Sequence, residues 1–395
     1  MENFLKKLNE FNQRCEDIKN ANLYFYLRSI ESIEEPYVIV NGRKMLMLAS
    51  YSYLSLIGHP LINQYAIDAI NKYGTGTHGV RILAGTEKIH EELEETIASF
   101  KNREACVVFS SGYVTNLTSI STLFGRGDVV ICDKLDHASI VDGCRLSGAA
   151  FLRFNHNDLK DLERKLQNTS NNRTRVVIVD AVYSMDGDIS PIPEILDLVR
   201  KYNALLMVDE AHSLGVLGKN GKGVEEYFGL NNDIDILMGT LSKTIPSVGG
   251  YIAGSKILVN YLKHNARAFV FSAALPPAAC GAAIASFKVI EEEKWRIEKL
   301  SKNINHFLDE LKKAGFNTLN SQTAIVPLII GEEEKTLKVT RFMQDRDIFV
   351  LPVLHPAVPI NTSRLRMNVT ASMDKEHIDF VVDALKEADK LFKIT

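Results

Sequence analysis

"RVVIVDAVYSMDGDISPIPEILDLVRKYNALLMVDEAHS", residues 175–213, holds one full period of a fold. Residues 175–182 and 204–211 are apolar and rich in Val, Ile and Leu, as strands covered on both faces are. Between them, "SPIPEILDLVRKYN" (190–203) opens with Ser-Pro, a favourable helix start. Strand, helix, strand in that order predicts parallel strands joined by a crossover helix.

The same alternation continues on both sides. "ACVVFS" (105–110), "DVVICD" (128–133), "IDILMGT" (234–240) and "GGYIAGS" (249–255) read as further strands. Beyond about residue 285 the pattern changes. "KWRIEKLSKNINHFLDELKKAG" (294–315) and "DKEHIDFVVDALKEADKLFK" (374–393) are charged amphipathic helices with mixed strands between them. The expected organisation is an N-terminal helical or extended segment (1–50), a large α/β domain (51–285) and a smaller α+β domain (286–395). In the N-terminal helix, Leu5, Leu8, Phe11 and Ile18 fall on one face, and the simplest reading packs that face on the body of the protein.

The terminal Asp-Glu-Ala-His of the opening stretch also resembles a helicase motif. That reading needs a Gly-x-x-x-x-Gly-Lys-[Ser/Thr] phosphate loop after an early strand. The nearest glycine-rich stretch, "GKNGKG" (218–223), has the wrong spacing and follows the motif. A net charge of -3 over 395 residues gives no basic field to attract nucleic acid. The 46% hydrophobic and 24% charged content fits a globular chain, and no stretch reaches the roughly 20 apolar residues of a membrane span. Cysteines 15, 106, 132, 144 and 280 are dispersed without metal-ligand spacing, so reduced thiols, a cytoplasmic location and no metal are expected.

In a parallel sheet, ligands bind outside the carboxyl ends of the strands. Those ends carry "SSGYVTN", "KLDHAS", "YSMDGD", "DEAHS" and "TLSKT". A loop lysine, Lys243, can form a Schiff base with an aldehyde cofactor. A buried strand-end acid, Asp209, can keep a pyridine nitrogen protonated. A helix start at "SSGYVTN" supplies backbone N–H groups for a phosphate. Together these are the parts of a pyridoxal 5'-phosphate site.

At this point the chain resembles a known family, the α-oxoamine synthases of the fold-type I aminotransferase superfamily. The matching stretches are "GTGTHGVRILAGT" (74–86), "FSSGYVTN" (109–116), "DKLDHASIVDGC" (133–144) and "RFNHND" (153–158). They continue with "VYSMDGDISP" (182–191), "LMVDEAHSLGVLGKNGKG" (206–223), "GTLSKTIPSVGG" (239–250), "FSAALPP" (271–277) and "SRLRM" (363–367). The resemblance implies a mostly parallel seven-stranded sheet flanked by helices, plus the smaller C-terminal domain. It implies catalytic roles for Lys243, His137, Asp209 and His212. Lys243 would bind the cofactor and take the α-proton of the amino acid, Asp209 would meet the pyridine nitrogen, His212 the 3-hydroxyl and His137 the ring face. Ser111, Gly112, Tyr113, Ser184, Thr240 and Ser242 would complete cofactor binding, and Arg366, Ser52 and Arg81 would contact substrate.

The implied reaction condenses a small L-amino acid (serine, alanine or glycine) with an acyl thioester carried by coenzyme A or acyl carrier protein. It releases the thiol and carbon dioxide and yields an α-amino ketone. An obligate homodimer is implied, with "GTGTHGVR" and "FSAALPP" near the partner's site. "VDEAHS", "HASIVDGC" and "GTLSKTIPSVGG" resemble the serine palmitoyltransferase branch more than the 8-amino-7-oxononanoate synthase or glycine C-acetyltransferase branches. The chain departs from the family at Ser52, where Asn is usual, at Ser55 for Gly, at Leu354 for a second Arg and at Ala274 for Ser. Two alternatives use the same motifs: an aminotransferase, and an inactive scaffold subunit, against which the retained Lys243 argues.

Overall fold

The computed structural model describes residues 1–395 apart from positions 170 and 172. Its contacts divide the chain into two units. One comprises Tyr51–Lys302 with Gln322–Ala324; the other comprises Met1–Ser50, Asn303–Ser321 and Ile325–Thr395.

The first unit is built on a seven-stranded sheet. Its strands are β1 (Ala105–Phe109), β2 (Val129–Asp133), β3 (Ala150–Phe154), β4 (Arg175–Asp180), β5 (Leu205–Asp209), β6 (Ile236–Thr240) and β7 (Gly250–Gly254). They lie in the order β1-β7-β6-β5-β4-β2-β3. Only β7 runs antiparallel to its neighbours, β1 and β6; the others are parallel. The sheet residues Val107, Val130, Ile178, Met207, Met238 and Ile252 are all buried, which explains their uninterrupted apolar runs.

Six of these strands match the sequence expectation to within two residues at each end. The edge strand β3 does not announce itself in the sequence. Arg153 is exposed and Phe151 and Leu152 are only half-buried, so the apolar signal is broken. The helix Ile192–Lys201 begins just after Pro191 and buries Ile192, Ile195, Leu196 and Val199.

In the second unit, Ser32–Glu34, Tyr37–Val40 and Arg43–Met47 form an antiparallel meander extended in parallel by Ile348–Phe349. A second sheet pairs Ser363–Asn368 with Ile325–Gly331 and Leu351–Val353. The N-terminal helix forms over Glu2–Asn20, but Leu5, Leu8 and Phe11 are 49%, 47% and 68% exposed. The expected packing of this face within the chain is therefore corrected. Among the described residues, no helix is long and apolar enough to cross a membrane.

Candidate active site

Three parallel strands end in an acid: β2 in Asp133, β4 in Asp180 and β5 in Asp209. At this edge a cavity of about 260 Å³ is lined by Ser111, Gly112, Tyr113, His137, Ser184, Asp209, His212, Thr240, Ser242 and Lys243, among others. These are all ten of the residues read as catalytic or cofactor-binding. They come from four strand-to-helix connections and from the connection between β6 and β7.

Asp209 is buried and doubly hydrogen-bonded. Its Oδ2 accepts from Nδ2 of Asn116 at 2.7 Å, and its Oδ1 accepts from the N–H of Ala211 at 2.8 Å. These two donors fix the carboxylate plane at the cavity floor. His212 stands between two partners. Its Nε2 lies 2.7 Å from Nζ of Lys243, and its Nδ1 lies 2.7 Å from the hydroxyl of Tyr53. The ring of Tyr51 lies 5.7 Å from the Lys243 ammonium position and edge-on to His212.

The opposite end of the cavity is a helix start. Ser111 caps the helix Gly112–Leu123 by accepting from the N–H of Val114 at 3.2 Å. The first N–H groups of a helix have no partner within it, so those of Gly112 and Tyr113 are available to an anion. A Cβ on Gly112 would lie 2.8 Å from Oγ1 of Thr240, so only glycine lets the backbone come this close. Oγ1 of Thr240 and Oγ of Ser242 are 2.9 Å apart beside it.

His137 caps the next helix, Ala138–Ser147: its Nδ1 accepts from the N–H of Ser139 at 3.2 Å. Burial, opposed by Asp209 and reinforced by Lys243, lowers its pKa. A neutral, anchored ring is suited to stacking. The backbone N–H of His137 donates to Oδ2 of Asp180 at 3.0 Å, and that of Asp180 donates to Oδ1 of Asp136 at 2.9 Å. Burial first, and then the charge of Asp209, pushes the Asp180 carboxyl well above the usual carboxylate range.

Arg366 belongs to the second unit, buried in the strand Ser363–Asn368, where its Nη1 donates to Oδ1 of Asn368 at 3.0 Å. Arg81 does not line the cavity. Its Nη1 pairs with Oε1 of Glu94 at 3.0 Å, its Nε donates to Oγ1 of Thr86 at 3.1 Å, and it covers the ring of Phe269. Ser52 is buried between Tyr51 and Tyr53 and is not among the lining residues. Ser55 has φ 56°, a left-handed conformation that costs a side chain about 1–2 kcal/mol and glycine almost nothing. Glu210, beside Asp209, is fully buried, pairs with Lys101 at 2.5 Å and accepts from the N–H of Val224 at 2.8 Å.

Sequence reading missed Tyr53, Asn116 and Asp180. Asn116 closes the quoted "FSSGYVTN", one helical turn past Gly112, which was the available signal. The donor set fits a phosphorylated pyridine aldehyde: an anion-accepting helix start at one end, a fixed carboxylate at the other, an amine between. The Gly112 backbone, with no room for a Cβ, is the cradle such a phosphate requires.

Comparison with known proteins agrees. The family model for aminotransferase class I and II matches residues 43–385. An 8-amino-7-oxononanoate synthase of Thermoanaerobacter pseudethanolicus is 43% identical over 97% of both chains. A serine palmitoyltransferase of Bacteriovorax stolpii is 40% identical over 97% of this chain and 91% of that one. A serine palmitoyltransferase from S. paucimobilis, solved with a PLP–myriocin aldimine, superposes with a TM-score of 0.95 at 31% identity, covering 99% of each chain. An 8-amino-7-oxononanoate synthase from Francisella tularensis gives 0.77 at 25% identity, over 89% of this chain and 99% of that one.

Proposed function

We propose, from the premise that this chain belongs to the class I and II aminotransferase family and to its α-oxoamine synthases, that it condenses a small L-amino acid with an acyl thioester. It is a pyridoxal-phosphate-dependent acyltransferase, and its products are an α-amino ketone, carbon dioxide and a free thiol. The observation that carries the reading is the placement of Lys243, His212 and Asp209 in one cavity with the Gly112 helix start.

Pyridoxal phosphate, when bound, supplies the electron sink for the amino acid's α-carbon. The chain supplies the rest. The Nζ of Lys243 would hold the cofactor aldehyde and serve as the base for the α-proton. Asp209, locked by Asn116 and Ala211, would meet the pyridine nitrogen. His212 would donate to the ring's 3-oxygen, and His137 would cover the ring face. The N–H groups of Gly112 and Tyr113, with the hydroxyls of Thr240 and Ser242, take the phosphate, and Ser184 lines the same wall. We assign Arg366 to the amino acid carboxylate and Ser52 to substrate contact. Arg81 serves the protein by holding the Glu94 helix in register.

The working form is a homodimer with the active site at its interface. Support comes from the joined segments 74–86 and 271–277, where Ala274 donates to the carbonyl of Gly79 at 3.0 Å. They leave Ile82, Leu83 and Phe271 at 52%, 82% and 77% exposed, an apolar surface suited to a second copy.

Serine with a long-chain acyl thioester is the substrate pair favoured by "VDEAHS", "HASIVDGC" and "GTLSKTIPSVGG". L-Alanine is the second reading, favoured by the slightly higher identity to 8-amino-7-oxononanoate synthases. Cofactor absorbance is titrated with glycine, alanine, serine and threonine, and thiol release is then followed across acyl chain lengths. Thiol release with serine or alanine is expected, and Lys243→Ala abolishes turnover and the absorbance band of the lysine-linked cofactor. Amino-group exchange without any thiol release refutes the reading.

A further inference from the structure

Two quoted motifs, "RFNHND" and "VYSMDGDISP", meet just outside the cavity, at His156. Its Nδ1 is 3.0 Å from Oδ1 of Asp133, and its Nε2 is 2.8 Å from Oδ2 of Asp188. A ring that gives both nitrogens to carboxylates donates from both, as an imidazolium. Burial opposes that charge, but the two carboxylate bonds outweigh it and raise the His156 pKa to about 10.

Each carboxylate belongs to a different wall of the active site. Asp133 ends β2 and begins the loop that carries His137. Its Oδ1 also accepts from the N–H of Leu135 at 2.8 Å, and its own N–H donates to Oδ2 of Asp136 at 2.8 Å. Asp188 closes the loop that carries Ser184. Its carbonyl accepts from the N–H of Tyr183 at 3.1 Å. The Tyr183 ring meets His156 edge-on, with centroids 4.4 Å apart. Asn157 repeats the bridge: its N–H donates to Oδ2 of Asp133 at 2.8 Å and its Nδ2 to Oδ2 of Asp188 at 2.9 Å.

We propose that His156 is a positioning residue, which by bridging Asp133 and Asp188 fixes the spacing of the loops that carry His137 and Ser184. It touches neither cofactor nor substrate. It acts through His137, by presenting that ring at the height where it stacks on the cofactor, so the inference rests on the functional reading above. The alternative occupant of this corner is a divalent cation, because ligand atoms of His156, Asp186 and Asp188 lie within 4.8 Å of one another. The bridge is favoured because both ring nitrogens are already committed to carboxylates.

The test is a double-mutant cycle. Pyridoxal phosphate dissociation constants are measured on wild type, His156→Ala, His137→Ala and the double variant, with unfolding curves of each. His156→Ala is expected to raise the constant about tenfold or more in the wild-type background and less than about twofold in the His137→Ala background, the mark of two residues acting as one unit. An equal factor in both backgrounds, or no change in either, overturns the proposal, since a merely structural residue gives additive losses. A stoichiometric divalent ion in the wild type that is lost in His156→Ala also overturns it. If His156→Ala does not fold, Asp188→Asn, which keeps the shape and removes the charge, replaces it in the same cycle. Wild type that binds no pyridoxal phosphate sinks the functional reading instead.

Discussion

Tyr53→Phe tests how the site chooses the proton position on His212. A neutral imidazole has one donor and one acceptor nitrogen. If the Tyr53 hydroxyl donates to Nδ1, the ring proton sits on Nε2, and His212 becomes a donor toward the cavity. A 3-oxygen on a pyridine ring needs such a donor. Removing one hydroxyl leaves Nδ1 without its 2.7 Å partner inside a residue only 7% exposed. An unsatisfied buried polar atom costs about 1–3 kcal/mol. At about 1.4 kcal/mol per tenfold, cofactor affinity or kcat/KM falls roughly 5- to 140-fold. The side chain keeps its volume, so the unfolding midpoint of the cofactor-free protein shifts far less than that of a core truncation. The assay is fluorescence titration of pyridoxal phosphate, followed by thiol-release kinetics. Affinity and kcat/KM both within twofold of wild type refute the reasoning, because His212 would then need no fixed tautomer.

Gly112→Ala places a Cβ 2.8 Å from Oγ1 and 3.1 Å from Cβ of Thr240, so the helix start must retreat from the phosphate position. Cofactor affinity is expected to fall about tenfold, within the roughly 1–3 kcal/mol typical of overpacking, while helical content by circular dichroism is kept. The His156 bridge sets a pH dependence. Its folded pKa of about 10 lies above the 6.5 of a free histidine, so folding is coupled to holding a proton. The stabilisation is complete below pH 6.5 and drains away as the pH rises toward 10. Urea unfolding of the cofactor-free protein should show the gap between wild type and His156→Gln narrowing across that window; a gap that widens with pH contradicts the assignment.

What the sequence discloses is the part of the fold and site that is local. Asp209 and His212 share one motif, Lys243 closes another, and each sits where a buried strand runs out, so periodicity places them at the sheet edge and the family resemblance assigns their roles. Tyr53 reaches His212 across 159 positions and Asn116 reaches Asp209 across 93, and no spacing rule spans such gaps. Arg81 shows the converse case. Its motif looks like substrate recognition, yet the buried carboxylate of Glu94, thirteen residues on, claims its guanidinium. The N-terminal helix fails for a related reason: an amphipathic pattern fixes which face is apolar, but not what covers it.

The strand-end acids make sense only as a set. Packing Asp136, Asp180 and Asp209 into one buried edge would be untenable if all were charged, since like charges in a low-dielectric site disfavour one another. The fold resolves this by unequal treatment. Asp136 and Asp180 are driven well up by burial first, and next by Asp180 and Asp209 respectively, so they serve as hydrogen-bonding hinges for the His137 loop. Asp133, itself fully buried, pairs with the imidazolium of His156, which balances it. Asp209 alone combines a neutral amide donor, a backbone donor and an open side toward the cavity. The sheet thus presents one carboxylate, that of Asp209, at the cavity where a pyridine nitrogen would need it. Opening Asp180 to water, or freeing Asp133 from His156, would return a competing charge to the same edge and weaken that selection.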